Sequence, residues 1–294
     1  MGVSQSTTNK NQYNNNNNNY QNQNRNIQNN SNNLNQSIRN VNTNRMIPDN
    51  YKTMEEVQDA LQEAGLESSN LIIGIDFTKS NTWTGQHSFG GQCLHTLHPQ
   101  IPIYNPYQKV IDIIGRTLTR FDDDQMYPVF GFGDITTTNK SVFSFMPNDQ
   151  PCNGLNQVMQ RYFEITPHVQ MSGPTNFAPL IRKAIEIVKI TRQYHILLIV
   201  ADGQVDNEKD TKAAIEEASN YPLSIVCIGV GDGPFDKMQE FDDNLGKSKF
   251  DNFNFVNFNK VIGPRVENVE VAFAVSALQE IPIQYMCCKK LGYF

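Results

Sequence analysis

Nothing in the sequence offers a zinc ribbon or a disulfide framework. Its five cysteines, Cys93, Cys152, Cys227, Cys287 and Cys288, are odd in number, widely spaced apart from one adjacent pair, and never arranged as Cys-x-x-Cys. No apolar run approaches the ~18–20 residues that cross a bilayer and no signal peptide opens the chain, so an intracellular location, cytoplasmic or nuclear, is expected. A phosphate-cradling G-x-x-x-x-G-K-[ST] loop and a G-x-S-x-G nucleophile elbow are both absent. GVGDG (229–233) lacks the G-x-G-x-x-G spacing of a dinucleotide site and reads as a tight turn. There is no basic stripe to neutralise phosphates, so nucleic acid is not an expected partner.

What is present divides in two. Residues 1–50 hold 20 asparagines, including the run from Asn14 to Asn19, and almost no aliphatic side chains. Such a composition cannot bury enough apolar surface to offset the entropy of ordering, which predicts a disordered Asn-rich tail. The opening Met-Gly-Val-Ser-Gln-Ser fits M-G-x-x-x-[ST], making Gly2 a candidate for N-myristoylation. One such chain gives only weak, reversible membrane association, on the order of 10⁴ M⁻¹. Beyond residue 50 the sequence carries 20 basic and 29 acidic residues, a formal balance of −9 that suits a cation or a basic protein partner.

Apolar spacing predicts helices over 53–64, 107–121, 155–163, 178–191, 208–219, 235–241 and 268–278. Strands are expected at 71–76, 127–133, 141–145, 194–203, 223–231 and 253–258. Strands alternating with helices, several of them apolar throughout, imply an α/β fold with a mostly parallel sheet and helices on both faces. The domain is expected over 51–285, with 286–294 a short C-terminal tail. In such sheets ligands gather at the carboxyl ends of the strands.

Three segments bring oxygen-bearing side chains to such ends. GIDFTKSN (74–81) supplies Asp76, Thr78 and Ser80, SGPTNFAP (172–179) supplies Thr175, and LLIVADGQ (197–204) supplies Asp202. Singly, each reads as a helix cap or a turn. Together, one or two carboxylates with several hydroxyls suit a hard cation such as Mg²⁺, which prefers oxygen ligands and keeps several waters.

The order D-x-T-x-S, then T, then D resembles the metal-ion-dependent adhesion site of von Willebrand factor A domains. The surrounding words are more specific. GIDFTKSN, VFGFGD, SGPTNFAP and GVGDGPFDKMQEFDDN look like the A domain of copines, and QYHILLIVADGQ and FDNFNFVNF like the copine-type A domain of plant RING ubiquitin ligases. The resemblance covers about residues 50–285. It implies a von Willebrand factor A (Rossmann-like) fold, with Asp76, Thr78, Ser80, Thr175 and Asp202 as ligands, some through water, of Mg²⁺ or Mn²⁺ rather than Ca²⁺. A protein partner's Asp or Glu would complete the coordination. It also implies a link to ubiquitination or a copine-like signalling adaptor role. Copines carry two C2 domains before this module, and the ligases carry a RING of paired Cys-x-x-Cys motifs. Neither is found here, so no autonomous ligase activity and no catalytic residue are expected. His87, His95 and His98 read as a solvated loop, with a second metal site the less favoured alternative. Asp134, Asp232 and, more weakly, Asp206 are candidate supporting acids or turn residues.

Overall fold

Helix α1 (Met54–Glu63) opens on a capping box, in which the Thr53 hydroxyl accepts from the Glu56 amide and the Glu56 carboxylate accepts from the Thr53 amide. It leads into β1 (Asn70–Asp76), which is buried from Leu71 onward. The computed structural model describes residues 51–100, 103–203, 205–243, 246–262 and 267–294, all within one compact unit. The Asn-rich segment 1–50 and the acylation candidate Gly2 lie outside the described residues.

After β1 come α2 (Pro106–Leu118), β2 (Met126–Tyr127), β3 (Val129–Phe132), β4 (Phe143–Ser144), β5 (Cys152–Asn153) and α3 (Gly154–Ile165). Next are α4 (Ala178–Thr191), β6 (His195–Ala201), α5 (Glu208–Ala218), β7 (Leu223–Gly229) and α6 (Asp236–Asp243). The chain finishes with β8 (Phe253–Asn257), α7 (Phe258–Val261), α8 (Val269–Leu278) and α9 (Ile281–Leu291). Six strands form one sheet in the order β4-β3-β1-β6-β7-β8, parallel throughout except for the antiparallel edge strand β4. This is the von Willebrand factor A type of α/β fold expected from the sequence.

Hydrophobic burial explains the layering. Strands β6 and β7 are buried at every residue, as strands covered on both faces must be. Helix α4 turns Leu180, Ile181, Ala184, Ile185 and Val188 onto one face of the sheet, where they pack among Ile72, Leu197, Ile199 and Ile225. Each fully buried side chain of this size contributes about 1.5–3 kcal/mol. Gly74 belongs to this contact, because a Cβ there would overlap the Leu180 side chain. Helices α2 and α8 cover the other face.

Three expectations need correction. The strand foreseen at 127–133 is two strands, because Pro128 has no amide to donate: β2 pairs with β5, and β3 with β1 and β4. Residues 286–294 are not a tail. Helix α9 runs through residue 285, buries Cys287 and Cys288, and ends on Gly292 in the left-handed region. Tyr285 meets Tyr194 edge-on at 5.0 Å, closing the helix onto the sheet. Finally, Val269–Leu291 is long and apolar enough, by length and composition, to cross a membrane, contrary to the sequence reading. Residues 279–280 interrupt it between α8 and α9, and 67% of its apolar stretch is buried within the fold.

Candidate functional site

Strands β1 and β6 lie side by side at the sheet centre, and the chain order reverses between them. A crevice is expected outside the carboxyl ends of such a pair. Asp76 is the last residue of β1, and Asp202 follows the last residue of β6. Both are buried.

Four of the five sequence candidates form one chain of contacts. The Thr78 amide donates to Asp76 Oδ1 at 2.7 Å, and the Thr78 and Ser80 hydroxyl oxygens are 3.0 Å apart. The Ser80 hydroxyl donates to Asp202 Oδ1 at 3.0 Å. Thr84, which sequence reasoning passed over, donates to Asp202 Oδ2 at 2.6 Å. Capping does not account for these side chains. Thr78 precedes a short 3-10 turn, Lys79–Thr82, without a side-chain capping bond, and the Asp202 carboxylate accepts from the Ser80 and Thr84 hydroxyls of another segment.

Thr175 stands on the opposite wall of the same cleft. Its amide donates to Asp206 Oδ2 at 2.7 Å, and its carbonyl accepts from the Asp206 amide at 3.0 Å. Thr175 does not cap α4: the N-cap is Phe177, and the Ala178 amide donates to Asn176 Oδ1. Asp206, the weakest acid candidate in the sequence, therefore lines the cleft. Asp134 and Asp232 act in turns instead. Burial works against the Asp134 carboxylate, yet hydrogen bonds from Thr136 and Thr137 hold it below its usual range. Asp232 accepts from the His87 and Ser88 amides and pins that loop.

Asp76 is the electrostatic anomaly. It is fully buried, its Oδ2 meets no donor among the described residues, and its carboxyl instead faces that of Asp202. Burial pushes its carboxyl well above the usual range, and the neighbouring Asp202 charge pushes it further. Burial raises Asp202 as well, against the hydrogen bonds from Thr84 and Ser80. Two acids destabilised in this way, one with an orphaned oxygen, beside three hydroxyls, fit a hard divalent cation: it would relieve the repulsion and satisfy the unmatched atom.

A second layer fixes the backbone of this turn, and the sequence gives little sign of it. His95 stacks between the rings of Phe77 and Tyr107, with centroids 4.5 and 4.0 Å away. Its Nε2 is 2.8 Å from the Asp76 carbonyl oxygen, an acceptor only, so the proton resides on Nε2. Nδ1 then accepts from the Tyr162 hydroxyl at 2.7 Å, which itself accepts from Asn105 Nδ2. Burial pulls the ring down to about 3, keeping it neutral. The solvated-loop reading of the histidines is thus wrong for His95, because aromatic packing closes over it. Asn81 donates to the Asp76 and Thr78 carbonyls and is itself held by the Tyr107 hydroxyl at 2.6 Å. Gly133, at φ +82°, completes the support. A Cβ there would overlap the Thr78 methyl and lie 3.4 Å from Asp76 Oδ1.

The cleft above has a volume of about 320 Å³. Its floor is formed by Thr78, Ser80 and Thr84, and its walls include Thr175, Gly203 and Asp206. Gly233 and Pro234 of the GVGDGP turn reach the same rim, consistent with a turn role for those glycines.

Comparison with known proteins places the chain. The copine family model matches residues 93–294. The chain is 50% identical over 261 residues to E3 ubiquitin-protein ligase RGLG3 of Arabidopsis thaliana, covering 84% of this chain and 70% of that protein. It is 51% identical over 245 residues to Copine family protein 2 of Caenorhabditis elegans, covering 82% of this chain but 3% of the worm protein. Among solved structures, a von Willebrand factor type A protein from Catenulispora acidiphila superposes with a TM-score of 0.43 at 16% identity, over 76% of this chain and 43% of that one. The chain belongs to the copine family.

Proposed function

We propose that the domain is a metal-dependent protein-binding module in which Asp76, Thr78, Ser80, Thr175 and Asp202 hold Mg²⁺ or Mn²⁺, some through water. The observation that carries this reading is the orphaned, fully buried Asp76 Oδ2 beside a second raised carboxyl, at the foot of a hydroxyl-lined cleft. A bound divalent cation supplies electrophilic attraction for a partner's Asp or Glu carboxylate. The chain's own residues set the strength of that attraction. Asp76 and Asp202 provide charge, while neutral hydroxyls at Thr78, Ser80 and Thr175 avoid quenching it. His95 and Asn81 hold the Asp76 and Thr78 carbonyls, so the ligand turn does not have to be ordered on binding. Affinity capture with the full chain tests the reading. Partners should be retained in Mg²⁺ and lost both in EDTA and with Asp76→Ala; retention in EDTA contradicts it.

Identity with RGLG3 favours a second reading at the level of pathway. In it the module delivers partners to ubiquitin transfer. In this reading the chain's own residues recruit partners rather than catalyse transfer. An autoubiquitination assay on the purified chain should be blank; robust activity overturns that assignment. Acylation of Gly2 would add weak membrane association to an otherwise cytoplasmic or nuclear protein. Intact mass measurement of the cellular protein decides it, a myristoyl increment being the expected result.

A further inference from the structure

The turn that carries the proposed ligands has a second face. Ser80 and Thr84, four residues apart, direct their hydroxyls to Asp202. Lys79 and Trp83, also four apart on the same turn, line the cleft beside them. Neither serves the fold. The Trp83 side chain is 58% exposed, and the Lys79 ammonium has no partner among the described residues. An exposed indole beside a polar floor is rigid apolar surface that a partner can cover. Across the cleft stand Pro174 and Pro234, which give two further apolar walls. The cleft is therefore half polar and cationic at Lys79, and half apolar around Trp83. Its volume of about 320 Å³ accommodates one extended stretch of a few residues.

We infer that Trp83 and Lys79 are specificity residues that select a protein segment in which a carboxylate is followed or preceded by a large apolar side chain, the apolar group packing on Trp83 and Lys79 approaching the carboxylate or a second acid beside it. This rests on the metal-dependent reading, since the carboxylate anchor is the one proposed above. The complementarity is physical. An acidic segment is repelled by Asp76, Asp202 and Asp206 without compensating positive charge, and Lys79 supplies part of that charge at the rim. Indole is the side chain that gains most from covering an aliphatic or aromatic group while remaining rigid.

The chain contains one tryptophan, so tryptophan emission, excited selectively over the tyrosines, reports on the cleft. The test selects a phage-displayed random heptapeptide library on the immobilised full chain in Mg²⁺, followed by titration of the enriched peptides against wild type, Trp83→Ala, Trp83→Phe and Lys79→Glu. Enriched peptides should pair an acidic residue with an adjacent large apolar one and shift Trp83 emission to the blue on binding. Trp83→Ala should weaken them on the order of fivefold to tenfold. Trp83→Phe should restore most of the loss, and Lys79→Glu should weaken them further at low salt. Enrichment of acidic peptides with no apolar preference, bound equally by Trp83→Ala, overturns this inference alone. Enrichment that is indifferent to acid and to EDTA overturns it together with the metal-dependent reading.

Discussion

Ser80 Oγ lies 3.0 Å from Asp202 Oδ1, joining the carboxyl ends of two neighbouring strands across 122 residues of sequence. Around that bond the fold collects two carboxyls, three hydroxyls and one unmatched carboxyl oxygen, and it spends a buried aromatic network to keep them in place.

Asp76 itself is the residue on which ion binding should depend. Its ionised form is unfavourable where it stands, so the neutral isostere in Asp76→Asn should leave the fold intact and raise Tm in EDTA. Wild type should gain stability from Mg²⁺, by about 2.7 kcal/mol at 100-fold excess over Kd, whereas the variant gains none. Thermal unfolding with and without the ion checks both parts. A variant that gains as much as wild type contradicts the assignment of Asp76.

His95 should matter for position rather than charge. His95→Phe retains the stacking on Phe77 and Tyr107 but takes away the acceptor of the Tyr162 O–H, which keeps the bond from Asn105, and removes a donor from the Asp76 carbonyl. The expected cost is about 1–3 kcal/mol in urea unfolding, with weaker Mg²⁺ affinity. Because the ring is neutral down to about pH 3, wild-type ion affinity should show no step near pH 6.5 from this residue.

Gly133→Ala should also act on the ligand turn. The new methyl must displace Thr78, and φ +82° is strained for alanine, so about 1–3 kcal/mol of stability is lost. A loss of ion affinity larger than for other variants of equal stability is the diagnostic readout.

Far from the cleft, Glu280 predicts a pH response. Burial, then the charges of Asp251 and Asp242, push its carboxyl up to about 7. A folded acid raised in this way binds its proton more tightly than the unfolded chain does. Its contribution to stability is therefore complete below about pH 4.5 and is lost as pH rises through about 7. Tm should fall across that window. Glu280→Gln should flatten the fall by about 1–2 kcal/mol, allowing for solvent screening of a half-buried side chain. An unchanged slope in the variant would remove Glu280 as the cause.

Much of the fold is legible in the sequence because apolar periodicity marks the strands and helices and their alternation dictates parallel neighbours. The meeting of Asp76, Thr78 and Ser80 with Asp202 follows from the same logic, since each stands at or just beyond the end of an apolar strand. What is not legible depends on tertiary packing. His95 sits in a loop that looks solvated, and only Phe77, Tyr107 and Tyr162 make it a buried link. Thr84 carries no motif beyond its i+4 spacing from Ser80, a signal that would have been usable. Helix α9, which carries Pro282 in its first turn where proline is well tolerated, is not among the expected helices. Pro128 has the opposite effect, dividing what apolar pattern alone reads as one strand.

The proposed function depends on the hydroxyl-and-carboxyl cluster holding a divalent cation through Asp76. Mn²⁺ titration followed by electron paramagnetic resonance tests it most directly, with the full-length wild-type chain and Asp76→Ala compared at equal concentration. One tightly bound Mn²⁺ per wild-type chain is expected, displaced by excess Mg²⁺ and absent from the variant. Equal binding by the two proteins, or no binding by either, would contradict it.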